Sequence, residues 1–148
     1  MSNNRGVLTP GTIVIIDLDS FEKVVKERGW SRYSPNPATG TLTRLVENFV
    51  AKWQAVVLYG LDEERGTEEV VIEVPMVEPE ELLDDLENIK RELNRLGVGV
   101  TIVAMRGFVG SARKLERREA YRGSPYRAAA SKILRRAKKR GGNVVVVV

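Results

Sequence analysis

Two groups of acids are the residues most able to do chemistry. Asp17 and Asp19 flank Leu18 at the end of an apolar run, and Asp62, Glu63 and Glu64 sit together in a polar stretch. The 148-residue chain has no histidine and no cysteine. That excludes Ser-His-Asp triads, thiolate nucleophiles, disulfides, zinc fingers and His-ligated metals. Any catalysis falls to carboxylates, Lys, Arg, Tyr, Ser/Thr or a carboxylate-held metal. Carboxylates, carbonyls and water suit hard cations such as Mg2+ or Mn2+. Such a cation would bring a triphosphate with it.

The elements that must position these acids follow from periodicity. Thr12–Leu18 reads as a buried central strand ending in acids. Asp19 or Ser20 is placed to cap a short helix over Phe21–Arg28, stopped by Gly29. Ser34-Pro35-Asn36-Pro37 reads as a loop. Leu42, Leu45, Val46, Phe49, Val50 and Trp53 then recur at helical spacing, giving a helix from about Thr41 to Trp53. Ala55–Tyr59 and Glu69–Val74 form a hairpin around Gly60–Thr67. Pro79 opens a helix whose apolar stripe runs from Leu82 to Leu96, with Gly97 ending it. Val98–Met105 is a strand, and Arg106–Gly123 a long basic loop with room for helical turns. Ser124-Pro125 reads as cap and first residue of a helix to about Arg140. Asn143–Val148 is the last strand.

The order β-α-α-β-β-α-β-α-β contains βαββαβ, the split ferredoxin-like unit. A right-handed crossover makes the first two strands parallel. The end of strand one then shares an end of the sheet with the hairpin tip, so Asp17 and Asp19 are expected to approach Asp62, Glu63 and Glu64. Neither acidic motif contains a cation, and like charges gathered at one edge need one. A divalent metal meets that need. The plain alternative is a strand-end acid beside a solvated turn.

Charge is uneven along the chain. Residues 106–140 carry thirteen Lys/Arg and two acids, a net +11 that leaves −7 elsewhere in a chain of +4. Solvated helix faces explain such a run, and so does a surface for nucleotide or nucleic-acid phosphates. Arg113, Lys114, Arg117 and Arg118 are the candidate contacts to nucleic acid or polyphosphate. Trp30, Tyr33, Trp53 and Tyr59 are isolated aromatics and read as packing, not a stacking platform. There is no apolar run long enough to span a membrane, and Met1–Pro10 is polar, so no membrane contact and a cytoplasmic location are expected. One glutamine, Gln54, no cysteine and 30% charged residues lean towards a thermophile.

Three segments carry a resemblance. Ile16-Asp17-Leu18-Asp19-Ser20-Phe21-Glu22-Lys23 resembles the D-x-D-x-F-K opening of GGDEF domains, of nucleotidyl cyclase palm fold. Leu58-Tyr59-Gly60-Leu61-Asp62-Glu63-Glu64 resembles their R-Y-G-G-D-E-F signature, with Leu61 at the second glycine and Glu64 at the aromatic. Leu134-Arg135-Arg136-Ala137-Lys138-Lys139-Arg140-Gly141-Gly142-Asn143 is similar to their L-Y-x-A-K-x-x-G-R-N segment. Tyr33-Ser34-Pro35-Asn36-Pro37 and Ser124-Pro125-Tyr126-Arg127-Ala128 resemble segments of archaeal GTP cyclohydrolase III, which has two such units per chain.

The resemblance implies one α/β (α+β) domain over 1–148, with a ferredoxin-like, palm-type antiparallel sheet backed by helices; the polar residues 1–10 are separately expected to be a flexible N-terminus. It implies a Mg2+ (or Mn2+) cofactor and a purine nucleoside triphosphate, GTP in first place. Asp17 and Asp62 would be the catalytic and metal carboxylates, with Glu63 the alternative to Asp62 and the Leu18 carbonyl a third ligand. The amides of Leu18, Asp19, Ser20 and Phe21 would meet phosphates, as would Lys138. A homodimer could stand in for the second unit. Cyclase and cyclohydrolase chemistry both stay open, as does a non-catalytic nucleotide-sensing or nucleic-acid-binding module.

Overall fold

The computed structural model describes residues 8–31, 33–110 and 114–148. β1 (Thr9–Leu18) lies at the centre of a five-stranded sheet in the order β2-β3-β1-β4-β5. Its neighbours β3 (Glu69–Pro75) and β4 (Val100–Val109) both pair with it antiparallel. A strand covered on both faces is apolar at every position, which is why Ile13–Ile16 are all fully buried. β2 (Val56–Tyr59) closes one edge against β3 with a register shift between Val57 and Tyr59. β5 (Val145–Val147) closes the other, parallel to β4.

The first four strands follow the order 2-3-1-4, as the split ferredoxin-like unit requires. α1 (Phe21–Arg28) and α2 (Pro37–Trp53) cross from β1 to β2, and α3 (Pro79–Arg95) crosses from β3 to β4. The expected α+β sheet backed by helices is therefore present. Side-chain alternation along β1 divides the core. Val14, Ile16 and Leu18 pack with Leu42, Val46, Leu86 and Leu93 of α2 and α3. Ile13 and Ile15 pack with Leu58, Val71, Val103 and residues of α4 (Arg117–Arg122) and α5 (Pro125–Lys139). By the same alternation, Asp17 faces α4 and α5.

Several element bounds differ from expectation. β1 starts at Thr9, because Thr9 and Pro10 pair with Val109 and Phe108, so residues 9–10 belong to the sheet; residues 1–7 lie outside the described residues. β4 consequently continues past Met105 to Val109. α2 starts at Pro37, not Thr41. The Asn36 side chain accepts from the amides of Ala38 and Thr39, and Pro37 takes the first helical position, where its missing N–H costs nothing. The basic stretch before Ser124 contains the short helix α4, so an extra element stands before α5. Ser124 does cap α5, accepting from Tyr126 and Arg127.

α1 spans Phe21–Arg28 as expected, with Gly29 in the left-handed region at its end. Its start differs from expectation. Ser20 has φ 48° and neither Ser20 nor Asp19 caps the helix with its side chain. The Asp19 carboxylate turns back to the sheet instead.

Candidate functional site

The end of β1 brings Asp17, Leu18 and Asp19 beneath the last turn of α5. Asp17 sits opposite Glu69 of β3 and Thr101 of β4 in the pairing register. The Asp19 carboxylate accepts from Thr101 Oγ1 at 2.7 Å and, through its other oxygen, from the Asn143 amide at 2.7 Å. Gly142, at φ 65°, makes that approach feasible, since a Cβ there would lie 2.7 Å from Asp19 Oδ2.

Lys138 reaches down from α5 and gathers this cluster. Its Nζ donates to the Leu18 carbonyl at 3.1 Å and to Asp19 Oδ1 at 3.0 Å, and it lies 3.5 Å from Asp17 Oδ2. Burial pushes the Asp17 carboxyl up to about 6, against the opposing pull of Lys138, and the charge of Glu69 adds to the rise.

The hairpin acids are used otherwise. Asp62 Oδ1 accepts from the amides of Glu64 at 3.0 Å and Arg65 at 2.9 Å, so its carboxylate ties its own turn. Glu63 stands against Glu47 of α2, and sharing a hydrogen bond between the two carboxyls raises the Glu47 pKa. Glu64 is exposed. The hairpin acid that accompanies Asp17 is Glu69, whose Oε1 accepts from Tyr121 Oη at 2.5 Å and from Arg117 Nη2 at 3.2 Å. Burial and Glu69 push the Tyr121 hydroxyl pKa well above its ordinary value, so it stays a donor.

The donor set therefore does not fit Mg2+ or Mn2+ as it stands. Asp17 and the Leu18 carbonyl are hard oxygens of the right kind. An ammonium already bridges them, one oxygen of Asp62 ties its own turn, and no group of three acids is placed to hold a metal among the described residues. Of the four expected phosphate amides, Leu18 donates to Glu68 O and Asp19 to Gly99 O. Those of Ser20 and Phe21 have no partner among the described residues.

Beside Asp17 opens a cleft of about 450 Å³ between α4 and α5. α4 contributes Arg117, Arg118, Tyr121 and Arg122; α5 contributes Ser131, Leu134, Arg135 and Lys138. Two of the four expected nucleic-acid or polyphosphate contacts, Arg117 and Arg118, line it, as does Lys138, expected on phosphate. Lys114 is exposed and does not, and Arg113 lies outside the described residues. Sequence reasoning missed Glu69, Tyr121, Arg122, Ser131 and Arg135. The spacing of Arg118 and Arg122, four apart on one helical face, was the available signal for the α4 half.

Trp30, Trp53 and Tyr59 pack against the core, whereas Tyr33, expected to pack, is 77% exposed. Trp53 Nε1 donates to Asp85 at 2.8 Å, Tyr59 meets Tyr121 edge-on at 6.4 Å, and Arg65 lies over Tyr33. No described helix is long and apolar enough to cross a membrane.

No family model matches the chain, and no curated protein matches it. Solved structures do. A microbial GGDEF domain, described for a novel interaction mode with bis-(3,5)-cyclic di-GMP, superposes with a TM-score of 0.54. The two share 22% identity, over 95% of this chain and 80% of that one. The likeness at this identity is one of architecture, and the chain has the GGDEF-like palm fold.

Proposed function

We propose that the chain is a nucleotide-binding domain of GGDEF-like fold, catalytically degenerate, whose ligand sets its phosphates in the cleft between α4 and α5. One observation carries this reading: four arginines, Arg117, Arg118, Arg122 and Arg135, line a single concave site beside Lys138 at the end of β1. Guanidiniums bind phosphate in bidentate fashion, and a cleft focuses their field. The solved GGDEF domain that interacts with cyclic di-GMP supports the choice of a purine nucleotide. Degeneracy is supported at the hairpin, where Leu61 packs on the core and Asp62 ties its own turn.

A second reading has its own observation. Asp17 and the Leu18 carbonyl present two hard oxygens at one strand end, the start of a Mg2+ site for a purine triphosphate enzyme. That reading needs Lys138 to withdraw and a third oxygen to arrive. It leaves cyclase and cyclohydrolase chemistry equally open.

Calorimetric titration with GTP, ATP, GMP and cyclic di-GMP tests the first reading. Binding that strengthens with phosphate number is expected. Absence of nucleotide binding, with a single-stranded oligonucleotide bound instead and released steeply by salt, would replace it with a nucleic-acid-binding role.

A further inference from the structure

We propose that Lys138 takes the place of a divalent cation at the end of β1, so that the adjacent arginine cleft binds a di- or triphosphate group without metal. This deepens the nucleotide-binding reading and rests on it.

An ammonium has three N–H donors. Those of Lys138 are met by the Leu18 carbonyl, Asp19 Oδ1 and, at ion-pair distance, Asp17 Oδ2. The oxygens a metal would need are thus neutralised from within the chain. The same geometry changes what Lys138 can do for a ligand. Its charge is spent on two carboxylates, so phosphate must be held by other groups.

Those groups are the arginines of the cleft. Arg117 is paired with Glu69. Arg118 and Arg122 have no carboxylate partner among the described residues, and Arg135 donates only to the Ser131 hydroxyl, at 2.9 Å. Three exposed guanidiniums with no ion pair among the described residues line one cleft, together with Asp17, whose charge Lys138 meets. Their mutual repulsion is relieved by an anion of comparable charge. A free triphosphate, with about four negative charges at neutral pH, matches that demand. Its Mg2+ complex carries two fewer, and its metal could reach Asp17 and Leu18 only by displacing Lys138. A guanidinium cluster facing a chain of phosphate oxygens supplies the charge and the directed donors a metal would otherwise provide.

The test is titration of the full chain with GTP at one ionic strength, first with EDTA and then with excess Mg2+. The expected result is a Kd that is unchanged within about threefold, or weaker, when Mg2+ is present. The double variant Arg118→Ala/Arg122→Ala should lose about tenfold or more in metal-free affinity. The Arg44→Ala/Arg91→Ala variant, which removes two charges on α2 and α3, should keep it. Far-UV circular dichroism confirms that each variant is folded. Binding that Mg2+ tightens by more than about threefold overturns the inference while leaving the nucleotide-binding reading intact. Equal losses in both double variants would reduce the cleft to general electrostatics and overturn it as well. Absence of GTP binding under both conditions removes both readings.

Discussion

Replacing Asp17 by Asn should stabilise this protein at pH 8 and leave it unchanged near pH 4. The Asp17 carboxyl titrates at about 6 in the folded chain, against 3.8 for its ordinary value. The folded state therefore holds this proton more tightly than the unfolded state does. The associated stability is fully present below the unfolded value and is lost as pH rises through about 6. A shift of about two units corresponds to about 3 kcal/mol, since each unit is worth about 1.4 kcal/mol. The Asp17 side chain is 29% exposed, so solvent screening lowers the expected gain to about 1–2 kcal/mol. Removing one member of a buried ion pair normally strands its partner at a cost of about 3–5 kcal/mol. Lys138 is not stranded, because Asp19 and the Leu18 carbonyl keep it at 3.0 and 3.1 Å. The gain should appear as a Tm increase of about 2–8 °C at pH 8, taking about 2–4 °C per kcal/mol for a chain of this size. Urea denaturation of both proteins at pH 4, 6 and 8 measures it. A variant less stable than the parent at pH 8, or a difference that does not vary with pH, would refute the reasoning.

Arg127→Met should cost about 3–5 kcal/mol in chemical denaturation, because it leaves Glu73, 1% exposed, without the guanidinium that lies 3.0 Å away. Adding Glu73→Leu should recover most of the loss, since the pair then gives way to apolar contact. Asn36→Ala should lower stability by about 1 kcal/mol by removing the two bonds that cap α2. The short edge strand β5 carries three half-buried valines beside exposed Val144 and Val148. Pairing or covering of that edge predicts a homodimer, and light scattering that finds a monomer at high concentration would contradict this.

The heart of the sheet was legible because β1, β3 and β4 carry apolar runs, Ile13–Ile16, Val70–Ile72 and Ile102–Met105, and turn residues separate the strands. The ends of elements were less so. Asn36-Pro37 and Ser124-Pro125 are the same local signal, a capping side chain before a proline that accepts the first helical position. Only the second reads plainly, because the first follows Pro35, and two prolines together suggest a loop. The extension of β4 to Val109 depends on pairing with Thr9 and Pro10, about a hundred residues away, and no local pattern around Arg106 carries that information.

The acids present the same contrast at a deeper level. Their spacing allows like charges to meet at one end of the sheet with a cation among them, and equally a strand-end acid beside a solvated turn. It does not state which cation. Lys138 is 119 residues from Asp19, and its arrival depends on how far α5 overhangs β1 before Gly141 and Gly142, both at positive φ, turn the chain back into β5. Resemblance aims this lysine at phosphate, and its sequence position supports that aim. Yet an ammonium within 3.5 Å of two carboxylates and a carbonyl has its donors committed. In the proposed reading phosphate then meets Arg118 and Arg122 of α4 and Arg135 of α5, and the α4 pair lies in a segment that reads, residue by residue, as a basic loop. What decides between a metal site and an arginine site is thus the reach of one side chain across the top of β1.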